Sequence, residues 1–200
     1  MADTEHSINT YVSDMLALER HINIPFQTQL KDDDFSDYTN ARALVSRLAD
    51  LSNRHADGLK DLLDRLGGHE ASPIKSGVST VEGFVAGAID KMRKTKVSKA
   101  LRDDYTALAL CTASYTMLTA TANALNSPQV AALAQQYLRD YAQCVMEIGQ
   151  ALPAIVVEEL QVTGLPVETG TIGLAEKAAQ EAWRSGGSTS TAAPTTAGTI

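Results

Sequence analysis

The sequence predicts an all-α protein, and three observations support this class. Apolar residues recur at three- and four-residue steps over four long segments, which is the period of an amphipathic helix. No segment alternates apolar and polar residues for long enough to predict a strand. A hydrophobic content of 44% across 200 residues suffices for one domain with a sizeable core. We therefore expect one helical domain over residues 1–162, followed by a less regular C-terminal region.

The first two predicted helices form an N-terminal pair. The first spans roughly residues 5 to 31, and we expect it to bend or end near Pro25, because proline cannot donate a backbone hydrogen bond. Three aspartates at 32–34 then predict a polar corner. The second helix is predicted over roughly residues 36 to 66, and Gly67 with Gly68 supplies a favourable stop signal.

The last two predicted helices lie beyond a connection of about thirty residues. This connection is expected to contain a short helix, opened by Ser79 and Glu82 in capping-box spacing. The third helix is predicted over roughly residues 98 to 125. The fourth begins with Ser127 as cap and Pro128 at the first helical position, and is expected to break near Pro153. Such a long link between helices two and three predicts an antiparallel four-helix bundle of ferritin-like topology with a helix-containing crossover.

The C-terminal region is predicted in two parts. Residues 163–184 should form a loop, marked by Gly164, Pro166 and Gly170, and then a short helix over residues 175–183. Residues 185–200, SGGSTSTAAPTTAGTI, have the composition of a disordered low-complexity tail, because they contain too little apolar surface to order themselves.

One long stretch of the chain carries no charge. The thirty-four residues between Asp104 and Arg139 include no Asp, Glu, His, Lys or Arg. A helix without charge on any face is normally buried on most sides, either inside its own bundle or at an oligomer interface. Threonines and serines interrupt the stretch every few residues, which argues against a membrane span. We therefore predict a homodimer or higher homo-oligomer that does not enter a membrane.

The net charge and the cysteines limit the classes of binding partner and the cellular compartment that we expect. A net charge of -7 argues against general binding to nucleic acid or anionic membrane, since phosphate binding requires basic residues. The basic segment from Lys91 to Arg102 is interpreted as a solvated connector, although it could contact phosphates or an acidic partner. Cys111 and Cys144 lie in apolar helical pattern, which is typical of reduced thiols. With no secretory leader pattern at the N-terminus, we expect a cytoplasmic protein.

A motif in the first helix pair resembles a known superfamily. Glu19 lies midway along the first predicted helix, and the segment Ser52 to His55 lies midway along the second, 33 to 36 residues later. This arrangement resembles ferritin-like proteins, whose first helix pair supplies a Glu followed at about that distance by Glu-x-x-His. The chain looks closest to the bacterial YciF-type and related ferritin-like proteins through LALERHINIPFQTQL, RHADGLKDLLDRLGG and YLRDYAQCVMEI. The resemblance covers roughly residues 5 to 160 and implies a stress-related or metal-handling role.

The chain departs from the ferritin-like ligand pattern at several positions. A di-iron site takes a Glu from each of two helices and Glu-x-x-His from each of the other two. Ser52 stands where the second-helix motif has its Glu, and the fourth helix has no histidine. Near the expected level the third helix offers only Thr112, Ser114 and Thr116, which are poor ligands for a hard divalent cation. Oxygen activation by two irons is therefore not expected.

A reduced set of candidate metal ligands remains: Glu19, His55, Asp140 and Glu147. The last two are seven residues apart and so share one helix face. Histidine with carboxylates could hold one iron or zinc. The alternative interpretation is that Glu19 and His55 are surface or salt-bridged residues, since each has an arginine beside it in the sequence.

Two classes of function follow from the sequence. The first is a non-catalytic, self-associating helical bundle with a structural or stress-associated role, which needs no cofactor. The alternative is a metal-binding protein, holding one zinc or iron, or an iron-handling oxidase of the ferritin-like type. No nucleophilic constellation and no phosphate-binding glycine loop is present to support another enzyme class. The two classes differ in whether Glu19 and His55 converge on Asp140 or Glu147 with unpaired side chains.

Overall fold

The protein is described here by a computed structural model that covers residues 2–68 and 96–187. Over these ranges it consists of helices and connecting turns without any strand, which confirms the all-α class. The predicted crossover helix at Ser79 and Glu82 lies outside the described residues. The α-helices of the described residues are α1 (Ala2–Gln29), α2 (Thr39–Arg65), α3 (Val97–Ala124), α4 (Pro128–Val162) and α5 (Ile172–Gly187), and 3-10 turns occupy Asp33–Phe35 and Thr169–Thr171.

Two prolines that were expected to break helices lie inside them. Helix α1 continues through Pro25 to Gln29, and α4 continues through Pro153 to Val162. Beyond each proline the helix still buries apolar residues, Phe26 in α1 and Ile155 in α4. Tertiary packing on both sides of the proline therefore outweighs the loss of one backbone hydrogen bond.

The first residue of α2 and the capping of α4 differ from the sequence prediction. Helix α2 begins at Thr39 rather than near Ser36, because the Asp32 carboxylate accepts a hydrogen bond from the Asp34 amide at 3.0 Å and stabilises a separate 3-10 turn. Helix α4 begins at Pro128 as predicted. Its preceding residue, Ser127, makes no capping hydrogen bond through its side chain.

The four long helices contact one another in antiparallel pairs. Along each interface, the contacting residue numbers increase on one helix and decrease on the other. The contacting pairs are Glu19–Ser52 and Asn23–Ala49 for α1 and α2, Glu19–Tyr115 and Gln29–Asp104 for α1 and α3, Arg47–Glu147 and His55–Asp140 for α2 and α4, and Ser98–Glu159 and Tyr115–Tyr141 for α3 and α4. It follows that α2 and α3 run in the same direction.

Helix α3 is uncharged from Tyr105 onward, and the described helices bury it on one side only. Its inner face enters the core through residues such as Leu101, Leu108 and Leu118. On its outer face Leu110 is 40% exposed and Met117 is 58% exposed. No other described helix covers this outer face, so the described part of the chain does not bury the helix on most sides, and its burial at an oligomer interface stays a prediction.

Helix α5 lies against α4 and is longer than the predicted helix over residues 175–183. It ends at Gly187, so it occupies the first three residues assigned to the tail, and the remaining tail lies outside the described residues. A groove of about 220 Å³ separates it from Tyr105 and Met146. Trp183, the one tryptophan of the chain, borders this groove and is 67% exposed.

None of the described helices combines the length and the apolar content that crossing a bilayer requires. The two cysteines, Cys111 and Cys144, are both free. Of the basic segment, the described residues Lys96, Lys99 and Arg102 are exposed, and Arg102 binds the carboxylate of Asp103 at 2.7 Å.

The start of α3 is capped by a side chain from the far end of α4. The buried carboxylate of Glu159 accepts hydrogen bonds from the Ser98 amide at 2.8 Å and from the Ser98 hydroxyl at 2.6 Å. The first amides of a helix have no partner within it, and the positive end of the helix dipole attracts a carboxylate. This contact joins the last turns of α4 to the first turn of α3.

Changing Glu159 to Ala should lower the free energy of unfolding by about 2 kcal/mol, because the Ser98 amide loses a charged acceptor. Urea denaturation followed by circular dichroism measures this change. Glu158→Ala, which removes the same charge one residue earlier, is the matched control and should change stability much less. Equal losses in the two variants would contradict the capping role.

Candidate functional site

The centre of the protein contains a fully buried carboxylate, that of Glu19 on α1. Its side chain is 0% exposed. One oxygen accepts a hydrogen bond from the hydroxyl of Tyr115 on α3, and the other accepts one from the hydroxyl of Tyr141 on α4. His55 on α2 approaches the first oxygen, with its Nδ1 at 3.3 Å. The carboxylate is therefore surrounded by polar groups from the other three long helices.

His55 connects this buried carboxylate to a second one. Its Nε2 lies 3.1 Å from Oδ2 of Asp140 on α4, so each ring nitrogen faces a carboxylate oxygen. A neutral imidazole can donate from only one nitrogen, and both nitrogens donate only when the ring is protonated. The ring of Tyr137 stacks on His55 at a centroid distance of 3.7 Å and holds it in this orientation.

Ser52 replaces the expected glutamate of the second-helix motif with a structural contact. It is buried, and its hydroxyl donates to the backbone carbonyl of Glu19 at 2.8 Å. A glutamate at this position would add a second carboxylate beside Glu19. The serine instead fixes α2 against α1 at the level of the buried carboxylate.

Burial and negative charge keep the tyrosines of the site in their neutral form. Burial raises the pKa of Tyr115 and of Tyr141 far above the usual value for a phenol, and the charge of Glu19 raises both further. Burial, followed by the charges of Glu19 and Asp140, raises the pKa of Tyr137 to about 12. In this neutral state Tyr115 and Tyr141 donate hydrogen bonds to the Glu19 carboxylate.

The structure brings together three of the four candidate metal ligands. Glu19, His55 and Asp140 form a continuous row of contacts, whereas Glu147 lies apart and binds Arg47 at 2.8 Å. Asp140 and Glu147 share one face of α4, as predicted, and both border a surface pocket of about 250 Å³. Only Asp140 reaches from that pocket to the buried histidine.

The present geometry of these residues does not form a metal site. Both oxygens of Glu19 and both nitrogens of His55 already have hydrogen-bond partners. Within residues 2–68 and 96–187, no three His, Cys, Asp or Glu side chains are arranged to hold an ion. Metal binding would thus require rearrangement of the tyrosines, and the metal interpretation of the four residues stays a prediction.

The hydroxyl groups of α3 that were considered as weak ligands point elsewhere. Thr112, Ser114 and Thr116 each donate to the backbone carbonyl four residues earlier in α3, at 2.8 to 2.9 Å. The residue of α3 that meets Glu19 is Tyr115, which lies between them.

Sequence reasoning missed the three tyrosines as site residues, because it placed them in the apolar stripes of their helices. Tyr115, Tyr137 and Tyr141 are indeed buried. A signal was available, since a buried tyrosine hydroxyl usually has a hydrogen-bond partner and Tyr137 and Tyr141 share one helix face. The uncharged region contains no carboxylate, so a charged acceptor for Tyr115 has to come from another helix, as Glu19 does.

The cysteines do not add reactive chemistry to the site. Burial raises the pKa of Cys111, and the nearby charge of Glu19 raises it further. Burial also raises the pKa of Cys144 to about 11, with a smaller effect from Glu147. Both thiols are therefore protonated at neutral pH and are poor nucleophiles.

Changing Gly58 to Ala should destabilise the protein by about 1–3 kcal/mol, because the added methyl group would overlap the Tyr137 hydroxyl. Tyr137 is stacked on His55, so it cannot move without disturbing the site. The measurement is the free energy of unfolding in urea.

Gly149→Ala is the matched control for this substitution, since Gly149 also lies inside a helix. Its added methyl group would lie 3.8 Å from the nearest ring carbon of Tyr105, an ordinary contact. We expect it to be neutral or to stabilise by about 0.5–1 kcal/mol. A Gly58→Ala variant as stable as Gly149→Ala would show that the Tyr137 position is not constrained.

Comparison with known proteins finds a similar fold but no matching protein family. No protein-family model matches the chain, and no curated protein matches it. A crystal structure of a protein from Xanthomonas campestris pv. campestris is similar, with a TM-score of 0.64 and 16% sequence identity. The alignment covers 82% of this chain and 99% of that chain. At this identity the similarity concerns the fold alone.

Proposed function

We propose that this chain is a ferritin-like four-helix-bundle protein without catalytic activity, in which a hydrogen-bonded network occupies the level of the ferritin-like metal site. In this proposal the protein self-associates and has a structural or stress-associated role. The observation that carries the proposal is the pairing of Glu19 and His55, the two residues that match the ferritin-like motif, with Tyr115, Tyr141 and Asp140.

The direction of the helices supports the ferritin-like topology. Helices α2 and α3 run in the same direction, and α2 contains 27 residues. A connection from the end of α2 to the start of α3 must therefore span the length of α2, which is roughly 40 Å at about 1.5 Å per residue. Residues 66–96 are numerous enough for such a crossover, which is the defining connection of this bundle type.

The chemistry of the buried network supports a non-catalytic role. Its members are hydrogen-bonded to one another, and the described part of the network reaches the surface through Asp140, whose side chain is 36% exposed. A substrate entering the neighbouring pocket would meet Arg47, Asp140 and Glu147, but the Cys144 thiol there is not activated. Within the network, each oxygen of Glu19 and each ring nitrogen of His55 already faces a polar partner, which supports a structural role for these two residues.

Metal content tests the first part of the proposal. Elemental analysis of protein purified without chelators, before and after loading with ferrous iron and with zinc, should find well below one metal ion per chain. The tyrosine hydrogen bonds would have to break before Glu19 could bind a cation. Stoichiometric metal that is lost in His55→Ala and retained in His21→Ala would overturn this part of the proposal.

The exposed face of α3 supports self-association. This face is uncharged along the whole helix from Tyr105 onward, and it carries the exposed side chains of Leu110 and Met117. Contiguous uncharged surface with exposed apolar residues is typical of subunit interfaces.

Size-exclusion chromatography with light scattering tests self-association. We expect the wild-type protein to be at least a dimer, and Met117→Glu to shift it toward the 21.3 kDa monomer by placing a charge in the interface. Ile24→Glu, at an exposed apolar position of α1, is the control and should leave the mass unchanged. A monomeric wild-type protein would remove the interface role of α3.

A metal-binding role is the second candidate, and one observation favours it. Glu19, His55 and Asp140 come from three helices and meet in one row, as ligands of a bundle metal site do. In this alternative the tyrosines move away on binding of one iron or zinc. The metal analysis above distinguishes the two candidates, because only the second predicts stoichiometric metal that depends on His55.

A further inference from the structure

A second buried polar pair lies between α1 and α3, away from the candidate site. Asp104 on α3 is 3% exposed, and Gln29 at the end of α1 is 1% exposed. The Gln29 amide donates from Nε2 to Oδ1 of Asp104 at 2.8 Å. Neither residue contacts the network around Glu19.

Each member of this pair has one buried oxygen without a hydrogen-bond partner among residues 2–68 and 96–187. These are Oδ2 of Asp104 and Oε1 of Gln29. Both are acceptors, so an ionised Asp104 leaves two unsatisfied oxygens in the interior, which is costly. A proton on Oδ2 turns one acceptor into a donor, and an acid and an amide can then form two hydrogen bonds with each other.

We propose that Asp104 is protonated in the folded protein at neutral pH and donates a hydrogen bond to Oε1 of Gln29, which makes the contact between α1 and α3 dependent on a bound proton. The pair then acts as a latch that is closed in the acid form. Deprotonation opens it, because the carboxylate can no longer satisfy the amide oxygen.

The surroundings of Asp104 favour the protonated form. Burial raises the pKa of Asp104 to about 8, against the hydrogen bond from Gln29, which lowers it. The charge of Asp103, the neighbouring residue on α3, raises it further. From α1 the facing side chain is the neutral Gln29, and within residues 2–68 and 96–187 no charge on α2 or α4 contributes to the shift.

The direction of the pH effect follows from the two protonation states. The ordinary pKa of Asp is 3.8, so the folded protein holds this proton more tightly than the unfolded chain. The stabilisation is complete below the unfolded value and is lost as the pH rises through the folded value. One retained proton changes the folding equilibrium constant by up to about tenfold per pH unit within that window.

Asp104→Asn tests the latch, because its amide donates from Nδ2 and accepts at Oδ1 at every pH. The folding equilibrium constants of the variant and of wild type are measured by urea unfolding near pH 5 and near pH 9. We expect the ratio of the variant's constant to the wild-type constant to be at least about tenfold higher near pH 9 than near pH 5. Asp103→Asn removes the adjacent, half-buried charge and should keep the wild-type dependence of stability on pH. Parallel pH profiles for wild type and Asp104→Asn would overturn the proposal.

A direct measurement on the wild-type protein covers the case in which Asp104→Asn does not fold. Carbon-13 NMR of uniformly carbon-13- and nitrogen-15-labelled protein reports the protonation of Asp104, with its carboxyl signal assigned by through-bond correlation to the backbone amide of Asp104. We expect a carboxyl resonance that stays in the acid form near pH 6 and titrates in the mildly alkaline range. An Asp104 signal already in the carboxylate form near pH 6 would equally overturn the proposal.

Discussion

The burial of the Glu19 carboxylate is the constraint on which the centre of this protein depends. Removing an ionised carboxyl group from water costs several kcal/mol unless donors replace the lost hydration. Here two phenols, from α3 and α4, donate to the carboxylate, and the imidazole of α2 lies against it at 3.3 Å. A single side chain of α1 therefore requires all three other long helices to present the correct residue at the same level.

Further buried polar contacts set the register of particular helix pairs along the rest of the core. Gln29 and Asp104 join α1 to α3, Ser98 and Glu159 join α3 to α4, and Ser52 joins α2 to the backbone of α1. The remaining core is mainly leucine, alanine and other apolar side chains, which pack in many arrangements of similar energy. Polar contacts do not tolerate such alternatives, because a shifted helix would leave their groups unsatisfied.

The helices were largely predictable, since they depend on apolar periodicity that the sequence displays directly. The continuation of α1 through Pro25 and of α4 through Pro153 was not predictable, because it depends on tertiary packing on both sides of each proline. The sequence also indicated Glu19, His55, Asp140 and Glu147 as a group, of which the first three meet and Glu147 lies apart. It did not indicate Tyr115, whose position on an apolar stripe concealed its polar role. Asp104 was similarly overlooked, although it lies three residues after Leu101 and four before Leu108, on the buried stripe of α3.

The position of Trp183 determines what optical spectroscopy of this protein will report. It is the only indole in the chain, and it lies on α5 beside the groove, far more exposed than any core residue. Intrinsic tryptophan fluorescence therefore follows the docking of α5 on α4, whereas the six tyrosines include the three that surround the buried carboxylate. The two chromophores act as separate local probes, so fluorescence and far-ultraviolet dichroism need not give coincident melting curves even when the four long helices unfold cooperatively.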